Sequence, residues 1–149
     1  MRFDLTPEDG DISDNVVFST TYGYEGNTQR ITSVQNSDGT SLAIAYEADG
    51  QGGHRVQSTT DGLGQTTTYE YVTVNHTRVT VGGRVTDYHF DNEGKLLRSE
   101  GVENGQVIGL TYTYDADDNL ESITDSLGRT TEYRYDAEGN QILQVDALG

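Results

Sequence analysis

The sequence contains no cysteine, no tryptophan, one proline and one lysine among its 149 residues. Without cysteine, the chain has no disulfide framework, no thiolate nucleophile and no zinc–thiolate site. No apolar run approaches the roughly 20 residues that span a bilayer, so we expect no membrane insertion. The N-terminal stretch MRFDLTPEDGDISDN also lacks the apolar centre of a signal peptide.

Positive charge is scarce as well. The 9 Lys and Arg residues face 25 Asp and Glu residues, which gives a formal net charge of −16. A surface this negative repels phosphate backbones and anionic lipid headgroups, so we expect no nucleic-acid partner. Solubility is the simplest explanation for the charge. Residues 1–18 are interpreted as an acidic N-terminal segment, and the domain proper is predicted to be residues 19–149.

The abundant residues favour strands and turns. Tyrosine accounts for 10 residues and glycine for 18, and Thr, Val, Ile and Tyr favour pleated strands whereas Gly, Asn and Asp favour turns. No stretch repeats apolar residues at the three- and four-residue spacing of a helix. The sequence therefore predicts an all-β fold.

A Tyr-x-Tyr/Phe pair recurs along the chain. The pairs are Tyr22 and Tyr24, Tyr69 and Tyr71, Tyr88 and Phe90, Tyr112 and Tyr114, and Tyr133 and Tyr135. Tyr46 continues the series with Ile44 in the first place, and the second aromatics then follow at steps of 22, 25, 19, 24 and 21 residues. An acid comes next in most copies, namely Glu25, Glu47, Asp91, Asp115 and Asp136, whereas Val72 stands there in one. The spacing predicts about six repeats of 20–25 residues, the last incomplete.

Glycine-containing turn signals separate the strands of each repeat. D-x-L-G occurs at 61–64, at 125–128 and at 146–149, and NSDGT, VGGRV and ENGQV occupy the same place elsewhere. Gly94 and Gly139 lie three residues after their acid, and Gly128 ends the second D-x-L-G. Each unit is thus predicted to be strand, turn, strand, turn. Roughly 11 or 12 strands would form a continuous antiparallel sheet of repeated hairpins that twists and curls.

Alternation along TTEYRYD predicts which side chains share a face. Tyr133 and Tyr135 lie on one face and Glu132 and Arg134 on the other, so we expect a buried aromatic face and a solvated charged face. The return strand is less regular, because Leu120 and Ile123 are three residues apart. That spacing predicts a β-bulge.

The repeat resembles the Rhs, or YD-repeat, family, whose unit reads approximately Y-x-Y-D-x-x-G-(R/N)-L followed by D-x-x-G-x-T-T. The likeness covers residues 19–149 and is plainest in YTYDADDNLESITDSLGRTTEYRYDAEGN. It implies a sheet that spirals into a shell, which encloses a toxin segment in bacterial polymorphic toxins and insecticidal complexes and supports adhesion in teneurins. The family's proteolytic core and effector have no counterpart in this sequence.

No residue is assigned to catalysis, to a cofactor or to a metal, and the chain is predicted not to be an enzyme. Asp115, Asp117 and Asn119 match the start of a calcium loop but lack its glycine and its final acid. A second acidic cluster, Asp9, Asp11 and Asp14, is equally incomplete. His54, His76 and His89 have no metal-ligand spacing. The sixteen residues that we assign to the structural repeat motif are Tyr22, Tyr24, Tyr69, Tyr71, Tyr88, Phe90, Asp91, Gly94, Tyr112, Tyr114, Asp115, Gly128, Tyr133, Tyr135, Asp136 and Gly139.

The sequence therefore predicts a non-enzymatic structural module, resembling the wall of a bacterial Rhs-type shell or fibre at the cell surface or outside the cell. An adhesin or carbohydrate-binding surface is the alternative, and an enzyme remnant is a third. The last D-x-L-G lacks the Thr-rich strand that follows the other copies. We expect the chain to be a piece excised from a longer repeat array. The rival interpretation is that a neighbouring chain pairs head-to-tail at the open edge of the sheet. The expected partners are further repeats, a toxin segment or a surface glycan.

Overall fold

A computed structural model describes residues 19–147, in which strands joined by turns are the only regular structure. The all-β prediction is confirmed. The strands are β1 (Thr20–Tyr24), β2 (Ile31–Asn36), β3 (Ser41–Ala48), β4 (His54–Asp61), β5 (Thr66–Thr73), β6 (His76–Val81), β7 (Arg84–Phe90), β8 (Leu96–Glu103), β9 (Gln106–Tyr114), β10 (Leu120–Asp125), β11 (Thr130–Tyr135) and β12 (Gln141–Val145). Their number, twelve, lies within the predicted range.

The strands follow one another in the sheet in the same order as in the chain, from β1 to β12, and every strand is antiparallel to its neighbours. The chain divides into two compact units, Met1–Thr67 and Thr68–Gly149, with the division inside β5. The predicted domain boundary after residue 18 stays a prediction, because residues 1–18 lie outside the described part of the chain.

In the first unit, Tyr22 of β1 lies opposite Val34 of β2, which lies opposite Leu42 of β3. Because directly opposed residues share a face, these three side chains project to the same side. Ile44 and Tyr46 follow Leu42 at two-residue steps on β3 and continue that face toward β4.

In the second unit, the opposed residues Tyr88, Ser99, Leu110 and Asp125 form one row across β7, β8, β9 and β10. Tyr112, Ile123 and Thr131 form the next row, from β9 to β11. The Tyr-x-Tyr/Phe side chains of β7, β9 and β11 therefore project from one side. We call this side of each unit the tyrosine face and the opposite side the charged face.

Each unit is a single layer of sheet, and within residues 19–147 no side chain is buried. Side chains are protected only by neighbours on the same face, as the intermediate exposure of Tyr112, Tyr114, Tyr133 and Tyr135 shows. The expectation of a buried aromatic face is therefore wrong for this chain. Tyr22 and Tyr24 are 50% and 53% exposed. The physical reason is that strand pairing covers the edges of strands, whereas a second layer is needed to cover a face.

Candidate functional site

The repeat turn begins with an aspartate whose side chain organises the next four residues. Oδ1 of Asp115 accepts the backbone N–H groups of Asp117 and Asn119, both at 2.9 Å. The backbone N–H of Asp115 donates to the carbonyl of Asn119, and that of Asp118 donates to the carbonyl of Asp115. The same pair of side-chain bonds, to the second and fourth residues onward, occurs at Asp49, Asp61, Asp91, Asp125 and Asp136.

The fourth residue of the turn adopts a positive φ, which favours glycine. Gly94, Gly128 and Gly139 have φ of 88°, 79° and 80°. Asp118 takes this place in one copy with φ of 68°, a conformation that costs a residue with a Cβ free energy. The turn therefore keeps its hydrogen bonds when aspartate replaces glycine, and the backbone of Asp118 is strained instead.

The acid after the aromatic pair and the D-x-L-G motif prove to be the same turn. Asp136 opens it at one end of the strands and Asp125 at the other, with the same bonds to the second and fourth residues. From the sequence we had expected two different kinds of turn signal. A search for D-x-x-G alone would have joined them, because only the aspartate and the glycine have a fixed role.

Hydrogen bonds within the turn lower the pKa of its aspartate. At Asp115 the side-chain amide of Asn119 is the largest cause, followed by the backbone N–H of the same residue. At Asp125 the largest cause is the guanidinium of Arg129. Turn hydrogen bonds are likewise the largest cause of the lowered pKa values of Asp49, Asp91 and Asp136. The turns therefore carry ionised carboxylates at neutral pH.

Two copies in the predicted series behave differently, the one with Glu47 and the one with Val72. Glu47 does not open a turn: β3 continues past it to Ala48, its carboxylate pairs with Arg55 at 2.7 Å, and Asp49 opens the turn instead. At the copy with Val72, β5 runs on to Thr73 and a two-residue turn leads to β6. Glu47 was therefore wrongly assigned, because the GQGGHR insertion moves the turn two residues along.

All ten aromatic residues of the motif lie on odd-numbered strands, of which β7, β9 and β11 lead into the Asp91, Asp115 and Asp136 turns. Tyr22 and Tyr24 lie on β1, Tyr69 and Tyr71 on β5, Tyr88 and Phe90 on β7, Tyr112 and Tyr114 on β9, and Tyr133 and Tyr135 on β11. The three aspartates open their turns, and the three glycines occupy the positive-φ place. The motif residues are thus divided between strand ends and turns; their assignment as a functional set stays a prediction.

The second tyrosine of a repeat donates its hydroxyl to the backbone of the strand before it. Three such bonds join Tyr46 to the carbonyl of Ile31, Tyr114 to that of Leu96 and Tyr135 to that of Leu120, at 2.9, 2.9 and 3.0 Å. We call them the tyrosine ties. Each joins two paired strands, β3 to β2, β9 to β8 or β11 to β10. If a repeat is counted from its aromatic strand to the return strand that follows, the tie links that repeat to the one before it. Nothing in the sequence signals the acceptor, since a carbonyl is available at every residue.

The carbonyl that accepts each tie belongs to a residue beside a β-bulge. Leu120 pairs with Tyr114, after which the register slips so that Ser122 pairs with Thr113 and Glu121 has no direct partner. The bulge predicted from the spacing of Leu120 and Ile123 is thereby confirmed. Equivalent slips occur opposite Tyr24, Tyr46, Phe90 and Tyr135. The bulge therefore recurs at the end of five of the aromatic strands, β1, β3, β7, β9 and β11.

The charged face of the second unit carries a connected set of ion pairs. Arg78 pairs with Glu70 at 3.6 Å and with Asp87 at 3.1 Å. His76 Nε2 lies 2.6 Å from Asp87 Oδ1, and its ring stacks on that of His89 with 4.3 Å between centroids. Burial acts to raise the pKa of Asp87, but the hydrogen bonds from His76 and Arg78 outweigh it and the pKa is lowered. The charged side chains on this face are therefore largely paired with one another.

The part of the chain that the structure describes forms no metal centre. No three His, Asp or Glu side chains in residues 19–147 are grouped to hold an ion. Both oxygens of Asp115, the first residue of the candidate calcium loop, accept hydrogen bonds from Asn119. The second candidate cluster, Asp9, Asp11 and Asp14, lies outside the described residues.

A shallow groove of about 410 Å³ opens in the second unit where the strands contain glycine. Ile108, Leu110 and Leu127 line it. A Cβ on Gly109 would stand 2.4 Å from the carbonyl oxygen of Ser99, so the close approach of β8 and β9 requires glycine there. Ser126 in turn accepts the Gly109 N–H at 2.6 Å and donates to its carbonyl at 3.2 Å, which holds the D-S-L-G turn against β9.

Residues 114–149 match the family model described as RHS Repeat. The match confirms the resemblance to the Rhs/YD-repeat family and, with the sheet of repeated hairpins, supports a structural β-repeat module. No curated protein matches the chain. Residues 19–147 contain no helix long and apolar enough to cross a membrane.

Proposed function

We propose, from the match of residues 114–149 to the RHS Repeat model and the repeated hairpins, that the chain is a segment of a shell wall or surface fibre, built to extend a sheet rather than to catalyse a reaction. Its place is outside the cell or at the cell surface, where RHS repeats occur. Its partners are further repeats of the same or a neighbouring chain and a toxin segment enclosed by the wall.

The observation that carries this proposal is the equivalence of contacts between successive repeats. The tie from Tyr135 to Leu120 repeats the tie from Tyr114 to Leu96, and the turns at Asp115 and Asp136 repeat the same bonds. Each repeat therefore makes the same contacts with the repeat after it as with the repeat before it. Such a surface is suited to extension by further units, as in other arrays with nearest-neighbour contacts.

The test is to lengthen the array in phase. A second copy of residues 115–135 inserted after Tyr135 places a complete turn, bulge and tie between existing repeats. The longer chain is expected to fold cooperatively, with an increase of roughly a sixth in the denaturant m-value, because m scales with the surface exposed on unfolding. Urea unfolding followed by circular dichroism measures both quantities.

The matched control is the same insertion with Thr131 deleted from the new copy. The deletion reverses the faces of the residues that follow it, so tyrosines and charges exchange sides and the ties are lost. We expect this control to lower the unfolding midpoint. If both insertions lower the midpoint alike, the repeats are not interchangeable units and the wall proposal is wrong.

A carbohydrate-binding adhesin is the second candidate, and the exposure of Tyr22 and Tyr24 on β1 favours it. Two half-exposed aromatic rings two residues apart offer a surface on which sugar rings stack. Binding on a glycan array that disappears in the Tyr22→Ala, Tyr24→Ala double variant, but persists in Tyr133→Ala, would support this function. An array without signal for the intact chain would reject it.

A further inference from the structure

The described part of the second unit lacks a covering layer. None of its side chains is buried, and Ile108 and Leu110 on the tyrosine face are 42% and 38% exposed. A sheet gains most of its stability by burying one face against another layer, at about 25 cal/mol per Å² of apolar surface. One of its two faces is therefore available to a partner.

Burying the tyrosine face costs less free energy than burying the charged face. Covering the charged face would desolvate the ion pairs of Arg78, Asp87 and His76, and buried ion pairs often fail to recover that cost. In the middle of the tyrosine face, by contrast, the row of Tyr112, Ile123 and Thr131 contains no charge.

Acidic turns border the tyrosine face at both ends of the strands. Asp115 and Asp136 lie at one end, with Asp117 and Glu138 as further acids in the same turns, and Asp125 lies at the other. Two nearby cations are already engaged: Lys95 lies 2.5 Å from Asp118, and Arg129 lies 2.6 Å from Asp125. A partner that spans the face therefore meets apolar surface in the middle and excess negative charge at the borders.

A second copy of this chain does not suit these borders. Each copy carries a formal charge of −16, so face-to-face pairing would bring like charges together. Opposite charge on the partner removes that repulsion and speeds encounter.

We propose that the tyrosine face of the second unit binds a cationic amphipathic polypeptide. Its apolar side chains lie on Leu110, Tyr112 and Tyr133, and its Lys and Arg side chains reach the turn carboxylates. The inference goes beyond the wall function and does not depend on it, since it concerns a single chain in isolation. A failed insertion experiment would leave it standing, and a failed binding experiment would leave the wall proposal standing.

The probe is a fluorescent 18-residue helical peptide with leucine on one face and lysine on the other, titrated with the full chain and followed by anisotropy. Two further peptides separate the contributions: one carries glutamate in place of lysine, and one carries serine in place of leucine. We expect micromolar binding of the Leu/Lys peptide, at least tenfold weaker binding of both others, and weakening as salt is raised.

Matched variants locate the site. Leu110→Gln lies on the tyrosine face, and Thr111→Gln, the next residue on β9, lies on the opposite face. We expect Leu110→Gln to weaken binding at least fivefold and Thr111→Gln to leave it unchanged. Ile108→Gln serves the same purpose if Leu110→Gln fails to fold by circular dichroism.

Three results would overturn the inference. The first is equal affinity for the Leu/Lys and Ser/Lys peptides, which would mean attraction by charge alone. The second is an equal effect of Leu110→Gln and Thr111→Gln. The third is a peptide-free dimer in light scattering that Leu110→Gln dissociates, which would make a second copy the occupant of the face.

Discussion

Removing one tyrosine tie tests whether neighbouring repeats are held together as the structure indicates. Tyr135→Phe deletes the hydroxyl that donates to the Leu120 carbonyl at 3.0 Å and leaves the ring in place. A typical hydrogen bond contributes about 0.5–1.5 kcal/mol net. Because Tyr135 is only half-buried, water can reach the freed carbonyl, and we expect a loss near the middle of that range, about 1 kcal/mol.

For an ordered region of this size, about 1 kcal/mol corresponds to a fall in Tm of about 2–5 °C. Thermal unfolding followed by circular dichroism detects such a change, and urea unfolding should give the same loss without a change in m. Tyr114→Phe, which removes the tie to Leu96, is an independent repetition of the experiment.

Tyr133→Phe is the matched control. Tyr133 lies on the same strand and the same face as Tyr135, is also half-buried, and has no hydrogen bond from its hydroxyl to any residue in the described range 19–147. Its Tm should change by less than 1 °C, well inside the small range of neutral surface substitutions. If Tyr133→Phe and Tyr135→Phe cost the same, the ties do not stabilise the array and the reasoning fails.

Three further predictions concern the turns. Asp118→Gly relieves the positive φ of 68° and should be about 0.5–1 kcal/mol more stable than Asp118→Asn, which removes the same charge but keeps a Cβ; equal urea midpoints would refute this. Gly128→Ala should cost about 1–2 kcal/mol, because φ is 79° although nothing lies within 4 Å of the added Cβ, and an unchanged midpoint would contradict the strain argument. Stability should fall as pH drops below about 4, because the folded pKa of Asp115 lies below its unfolded value and the unfolded chain therefore binds protons first. Asp115→Asn keeps the acceptor oxygen and should show a shallower acid loss in urea midpoints measured from pH 6 to 3; an identical pH profile would count against the linkage.

Local features of the fold were accessible from the sequence because each depends on residues close together in the chain. Alternation in TTEYRYD places Tyr133 and Tyr135 on one face, and an aspartate with a glycine three residues later specifies its turn without outside help. Even the bulge in β10 was predictable, since the spacing of Leu120 and Ile123 does not fit a regular strand.

The tyrosine ties, the place of the Glu47 turn and the exposure of the tyrosines could not be predicted. They depend on strand register, on an insertion and on the absence of a second layer. The acceptor of the Tyr135 hydroxyl is a carbonyl, which carries no sequence signal, and it comes within reach only because β10 and β11 pair as they do. Glu47 was misplaced because an insertion changed the position of a turn. The exposure of the tyrosines was missed because alternation shows which residues share a face but not whether anything covers it.

The agreement between strand order and chain order also has a kinetic consequence. Each strand after β1 pairs with the strand just before it in the chain, so no pairing has to wait for a distant segment. Contacts between residues close in sequence form quickly because only small loops have to close, and the sheet can grow outward from a nucleus. A polypeptide that leaves a ribosome or a narrow export channel N-terminus first can therefore add each hairpin, with its tyrosine tie to the strand already in place, while the rest is still unfolded.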